Sequence, residues 1–273
     1  MLKFDANLTM LFTEVPFWER FALAREAGFQ AVEYLFPYDY SPADLRRALV
    51  NNRLKQVLFN LPPGNWTKGD RGIAACPDRV DEFRSGIPKA IEYALELGVP
   101  QLNCLAGKWV QGYDEKKHWP VLTDNVRYAA EALHRNKLRL VIEQINHFDM
   151  PGFFLNKTGQ VIRLIDEVDL PNVFMQFDVY HAQREEGEIT NILHKYISRI
   201  GHIQIADNPG RHQPGTGEIN YPFVLKEVEA SGYQGYVGLE YEPVPNTLAS
   251  LEWMTQFGYK TEEYSLSERS GKI

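Results

Sequence analysis

The chain reads as an α/β protein, a single (β/α)8 TIM barrel, and three observations lead there. Eight short apolar, strand-like runs alternate with helical patterns from one end to the other. The 273 residues, 44% of them hydrophobic and 24% charged, suffice for one sizeable core and match the usual length of such a barrel. No linker rich in Pro, Gly or Ser divides the chain into halves. Together these favour a closed barrel over an open doubly wound sheet, the structural alternative.

In chain order the strand-like runs fall at 2–7, 31–36, 54–60, 101–105, 138–143, 173–178, 201–206 and 236–240. Helical patterns with recognisable ends lie between them. Phe17, Phe21 and Ala24 form an apolar stripe closed by Gly28, while Ser41, Pro42 and Asp44 supply an N-cap, a first-turn proline and an early acid. Gly98 and Gly232 read as C-caps. Two connections, 60–72 and 207–221, are long and rich in Gly and Pro. Both follow strands, so in a barrel both reach the face where active sites are built. The barrel is expected to span 1–258, with 259–273 as a polar tail outside the core.

Four of the later runs each carry one oxygen-bearing side chain at or near the end: Glu143 after LRLVI, Asp178 after VFMQF, Gln204 in HIQIA and Glu240 after YVGL. They recur at intervals of 35, 26 and 36 residues, about one strand plus one helix, so they converge at one end of a barrel. Buried carboxylates are costly unless a cation or hydrogen bonds compensate them. An all-oxygen set suits one hard divalent ion, Mg²⁺ or Mn²⁺. Singly, a strand-end acid is more often a cap and a lone Gln an interior amide; the rhythm is what turns them into a metal site. Glu143 and Glu240, from the fifth and eighth strands, could flank a bound substrate as an acid/base pair.

Positive groups near this end are Arg211 in the second long loop, Lys108 after the fourth strand and Arg71 closing the first long loop. A carboxylate-bearing substrate favours such partners, Arg211 foremost, although solvated surface is the usual fate of Lys and Arg. His181, in FDVYH, is placed to meet a substrate oxygen, whereas His202 reads as a packed core histidine. The net charge of −7 and the absence of a basic run argue against nucleic acid. No signal-peptide pattern or membrane-length apolar stretch occurs, which leads to the expectation of a cytoplasmic protein acting on a small hydroxy or oxo acid, with a homo-oligomer allowed. The two cysteines, Cys76 and Cys104, lack the spacing of a disulfide framework or structural zinc site.

The strings LVIEQINHFDMPGFFL, FMQFDVYHAQ, HIQIADNPGRHQPGTGEINYPF and YVGLEYEP, with FNLPPGNW and GDRGIA earlier, closely resemble the hydroxypyruvate isomerase family, part of the group of β/α barrels similar to xylose isomerase. The likeness extends from the start to about Gly258. It implies interconversion of hydroxypyruvate and 2-hydroxy-3-oxopropanoate (tartronate semialdehyde). It also implies that Glu143 and Glu240 transfer the proton, and that Glu143, Asp178, Gln204 and Glu240 hold the metal. Gln144 stands where the family usually has proline, and Glu242 where many members carry lysine. Isomerases of four-carbon 2-oxo-tetronates share most of these strings and form the alternative, with ketose 3-epimerases of the same barrel group beside them. A zinc nuclease of the endonuclease IV type would need a histidine cluster and a basic groove, and a non-catalytic metal- or sugar-binding protein would need no paired carboxylates.

Overall fold

A computed structural model describes residues 1–259. Its strands are β1 (Lys3–Asn7), β2 (Ala31–Glu33), β3 (Lys55–Gln56), β4 (Phe59–Asn60), β5 (Gln101–Cys104), β6 (Arg139–Glu143), β7 (Val173–Asp178), β8 (Ile200–Ile205) and β9 (Tyr236–Leu239). They form one parallel sheet in the order β3-β2-β1-β9-β8-β7-β6-β5-β4. The sheet thus begins and ends on two adjacent pieces of the run at 54–60, which is split rather than continuous. β3 pairs with β2 and β4 with β5. Across the join, Val57 N donates to Val32 O (3.0 Å), Asn60 N to Leu35 O (2.9 Å) and Leu61 N to Asn103 O (2.8 Å). One strand that serves two neighbours closes the barrel, and the tilt demanded by closure divides its ladder.

Helices cover the outside: α1 (Phe17–Glu26), α2 (Pro42–Asn51), α3 (Val80–Leu97), α4 (Glu115–Arg135), α5 (Thr158–Val168), α6 (Val179–Glu185), α7 (Ile189–Tyr196) and α8 (Tyr221–Ala230). Their ends follow from the capping residues. The Ser41 hydroxyl accepts from Asp44 N ahead of Pro42, and Gly98 closes α3 in a left-handed conformation with its N–H on Ala94 O. On α3 the buried positions Phe83, Ile87, Ala90, Ala94 and Leu97 repeat at three or four residues and face the sheet. Each fully buried Leu or Phe of this layer contributes about 1.5–3 kcal/mol. Cys76 and Cys104 are buried free thiols within it. No helix among the described residues is long and apolar enough to cross a membrane. Tyr259 belongs to the core, its ring 5.3 Å from that of Phe4. The rest of the polar tail expected at 259–273 lies outside the described residues.

Inside the barrel the floor is apolar, built on Ala31, Val57, Leu58 and Val141 with Phe174 and Tyr236 against them. Above it the inward positions become polar. Glu33 on β2 accepts from Asn7 Nδ2 (3.0 Å), Gln204 Nε2 (2.7 Å) and His202 Nε2 (2.8 Å), so one carboxylate ties together β1, β2 and β8. His202 is therefore buried and hydrogen-bonded rather than merely packed. Asp5, below Asn7 on β1, is fully buried, with Glu33 and His202 beside it. Burial, then the charge of Glu33, raises the Asp5 pKa well above its ordinary value of 3.8. For a carboxyl raised in this way, the favourable contribution is present below the ordinary value and lost as pH rises. Asp5→Asn has no ionisation to suppress and is accordingly expected to be more stable than the wild type at neutral pH, by about 1.4 kcal/mol for each unit through which pH exceeds the ordinary carboxyl value while the group stays protonated. The gap should close below about pH 4, and thermal melts of both proteins across this range provide the check.

Candidate active site

Parallel connectivity brings the C-terminal ends of all strands to one rim. Glu143 and Asp178 end β6 and β7, Gln204 is next to last in β8, and Glu240 directly follows β9; all four are buried. Ligand-capable atoms of Glu143, Asp178 and His181 lie within 4.8 Å of one another. Glu143 Oε2 accepts from Asn103 Nδ2 at 3.1 Å. Asp178 Oδ1 caps α6 by accepting from Tyr180 N at 2.8 Å, whereas its Oδ2 is buried with no hydrogen bond. His181 Nε2 stands 3.6 Å from that orphan oxygen and 3.9 Å from Glu143 Oε1.

Glu240 closes the other side. Its Oε2 accepts from Arg211 Nη2 at 2.6 Å and its Oε1 from Asn7 Nδ2 at 3.1 Å. The same Arg211 nitrogen is 3.7 Å from Asp178 Oδ2, so the partly exposed guanidinium links the two acids. Gln204 sits one layer deeper in its contacts, donating to Glu33 and accepting from Gln176 Nε2 at 2.5 Å. Its carbonyl keeps a second lone pair for another partner.

The loop that carries Arg211 is fastened by Asp207. Its Oδ1 accepts from Asn208 N (2.9 Å) and Ile219 N (3.1 Å), and its Oδ2 from Gly215 N (2.8 Å) and Gly217 N (2.9 Å). A Cβ at position 217 would lie 2.2 Å from Asn208 O, so only glycine fits there. Glu242 N donates to Arg211 O at 2.7 Å, while the Glu242 residue is exposed. Its exchange for the family's lysine thus places the altered charge in solvent. Gln144, the other departure, is fully buried and both its amide atoms lack a hydrogen bond.

Crowding of acids sets the electrostatics. Burial, reinforced by Glu240 and Asp178, raises Glu143 well above the carboxylate range. Burial likewise pushes Glu240 up to about 8 although Arg211 opposes it, and raises Asp178 against the same opposition. Arg211 is desolvated, yet Glu240, Asp178 and Glu143 keep its pKa above the ordinary value. His181 is shifted well below its ordinary value by burial and then by the charges of Arg211 and Arg184.

Of the other cations proposed from sequence, Arg71 is held by its own loop. Its Nη1 donates to Trp66 O (3.1 Å) and Asp70 O (2.7 Å), and its guanidinium lies 4.0 Å from the Trp66 ring. Lys108 pairs with Phe153 through the backbone, and among the described residues no hydrogen bond or ion pair joins its ammonium to the carboxylates. His181 and Arg211 stand against the cluster's carboxylates, whereas among the described residues no hydrogen bond or ion pair joins Lys108 or Arg71 to them. Sequence reasoning missed Asn7, Glu33, Asn103 and Gln176, whose only signal was a polar residue at an inward strand position.

The xylose isomerase-like TIM barrel family matches residues 21–257. A hydroxypyruvate isomerase from Escherichia coli is 49% identical over 257 residues, covering 94% of this chain and 100% of the relative. The chain belongs to the hydroxypyruvate isomerase family. As an isomerase of this family it is also 44% identical to a 2-oxo-tetronate isomerase from Pectobacterium atrosepticum, over 93% of this chain and 97% of that one. A Brucella melitensis crystal structure described as an AP endonuclease, family 2, superposes with a TM-score of 0.91 at 42% identity, covering 94% of this chain and 99% of the other.

Proposed function

We propose that this isomerase interconverts hydroxypyruvate and 2-hydroxy-3-oxopropanoate by proton transfer through an enediolate, with Glu143 and Glu240 as the acid/base pair. The observation that carries the reading is the placement of these two buried glutamates at one rim, Glu143 ending β6 and Glu240 following β9, with β7 and β8 between them. Two carboxylates so placed can take a proton on one side of a small substrate and return it on the other. The net change moves one hydrogen from carbon 3 to carbon 2 and one hydroxyl hydrogen from oxygen 3 to oxygen 2. One glutamate removes the first and the other delivers its replacement. Arg211 orients the substrate carboxylate, and His181 meets a substrate oxygen. Lys108 and Arg71 are outer contributors to the positive field.

The donor set fits one hard divalent cation, Mg²⁺ or Mn²⁺, held by Glu143, Asp178, Gln204 and Glu240, because it is dominated by carboxylates and includes the orphan Asp178 Oδ2. When bound, the cation polarises adjacent substrate oxygens and acidifies the neighbouring C–H. The raised pKa values predict how stability tracks pH. Without metal, protonated Glu240 and its neighbours favour the fold below about pH 4.5, and that contribution is lost as pH rises through about 8. A cation takes the ionised forms, so the thermal shift from Mg²⁺ or Mn²⁺ should grow from pH 5 to pH 8 and vanish in Asp178→Ala. Equal shifts in mutant and wild type would reject the metal site.

The activity itself is tested by kcat/KM on hydroxypyruvate beside a four-carbon 2-oxo-tetronate. A preference for the longer acid selects the second reading, which the 44% identity to a 2-oxo-tetronate isomerase supports. The net charge of −7 and a carboxylate-lined rim speak against a nuclease.

A further inference from the structure

His181 has two ways to act at this rim. With a lone pair on Nε2 it is a metal ligand, completing the group it forms with Glu143 and Asp178. With a hydrogen there it is a donor to substrate. Asn146, in the loop after β6, chooses between them. Its Oδ1 accepts from the backbone N–H of both Phe148 (3.1 Å) and Asp149 (2.9 Å), which can only donate. The amide nitrogen must therefore be the end that faces the imidazole, 2.7 Å from His181 Nδ1. That nitrogen's other hydrogen is directed to Asp149 Oδ2 at 3.2 Å, and Asp149 Oδ1 is in turn engaged by Arg184 at 2.5 Å. Since Asn146 Nδ2 has no lone pair to offer, His181 Nδ1 has to accept, and the ring hydrogen resides on Nε2.

We propose that Asn146 is a positioning residue that keeps His181 out of the metal's ligand set and makes its Nε2–H a hydrogen-bond donor to a substrate oxygen. Nε2 lies 3.6 Å from Asp178 Oδ2 and 3.9 Å from Glu143 Oε1, beyond hydrogen-bond reach of either, so its hydrogen is available to a third atom between them. That atom is the oxygen that gains charge as the enediolate forms, which rests on the isomerase reading above. The tautomer assignment does not rest on it.

The test is ¹⁵N NMR of histidine-labelled full-length protein, with His181 assigned by the signals lost in His181→Gln. The wild type is expected to show His181 protonated at Nε2, with Nε2 remaining protonated on saturation with Mg²⁺. Asn146→Asp is nearly isosteric but presents an acceptor to Nδ1. It is expected to move the hydrogen to Nδ1, tighten binding of nitrogen-preferring Zn²⁺ relative to Mg²⁺, and lower kcat by about 10²–10⁴-fold with a smaller change in KM. A wild-type ring protonated at Nδ1 overturns the proposal, as does an Asn146→Asp protein with unchanged tautomer and kcat. If that variant does not fold, the wild-type spectrum with and without Mg²⁺ still decides. An Nε2-protonated His181 in a protein inactive on hydroxypyruvate would sink the substrate assignment and leave the tautomer standing.

Discussion

Glu143→Gln and Glu240→Gln should each lower kcat by about 10²–10⁴-fold, the usual contribution of a positioned acid or base, with weakened metal binding adding to the loss. Both side chains keep their size; in Glu143→Gln the amide oxygen can keep the Asn103 contact at 3.1 Å, whereas in Glu240→Gln one oxygen cannot serve both Asn7 (3.1 Å) and Arg211 (2.6 Å), and one of these contacts is given up. Folding should survive. The losses in the double variant should be far from additive, because either glutamate alone leaves the proton without a second station. Turnover in deuterated water separates this route from a hydride shift: an enediolate that exchanges with solvent leaves deuterium on the product carbon. Full retention of substrate hydrogen together with substantial activity in both variants would exclude the acid/base pair.

Arg211→Ala carries the second large effect. Loss of a charge-assisted contact to the substrate carboxylate costs about 1.5–3 kcal/mol, roughly 10- to 100-fold in kcat/KM, and should be seen mainly as raised KM. A second consequence follows from the 2.6 Å contact with Glu240. In the metal-free protein Arg211 opposes the upward shift of Glu240, so its removal should raise that group further. The loss of metal-free stability with rising pH should therefore move with it in Arg211→Ala and less so in Arg211→Lys, as read from thermal melts. Unchanged kinetics and an unmoved stability profile would return Arg211 to ordinary surface charge.

Much of this architecture was legible beforehand because its signals are local. Strand-like runs, Ser41 and Gly98 as caps, and a buried acid at one strand end after another are each read within a few residues. The interior network was not, because its partners are distant: Asn7 meets Glu240 across 233 positions, and Glu33 meets Gln204 across 171. A single polar residue in a strand gives no hint of its partner until the barrel closes. The run at 54–60 misled for a related reason. Local composition reads as one strand, and only closure forces it to change neighbours after Gln56. Arg71 and Lys108 are near the rim in sequence order, but the Trp66 ring and the carbonyls of its own loop hold Arg71 in place.

The four N–H groups gathered on Asp207 bear on how the substrate is captured. They order the stretch from 207 to 221 during folding, so its conformational entropy is lost before any acid arrives. Capture is then the docking of a small anion on a rigid frame, not a coupled ordering of loop and ligand. Association of that kind carries little heat-capacity change beyond that of the ligand's own desolvation.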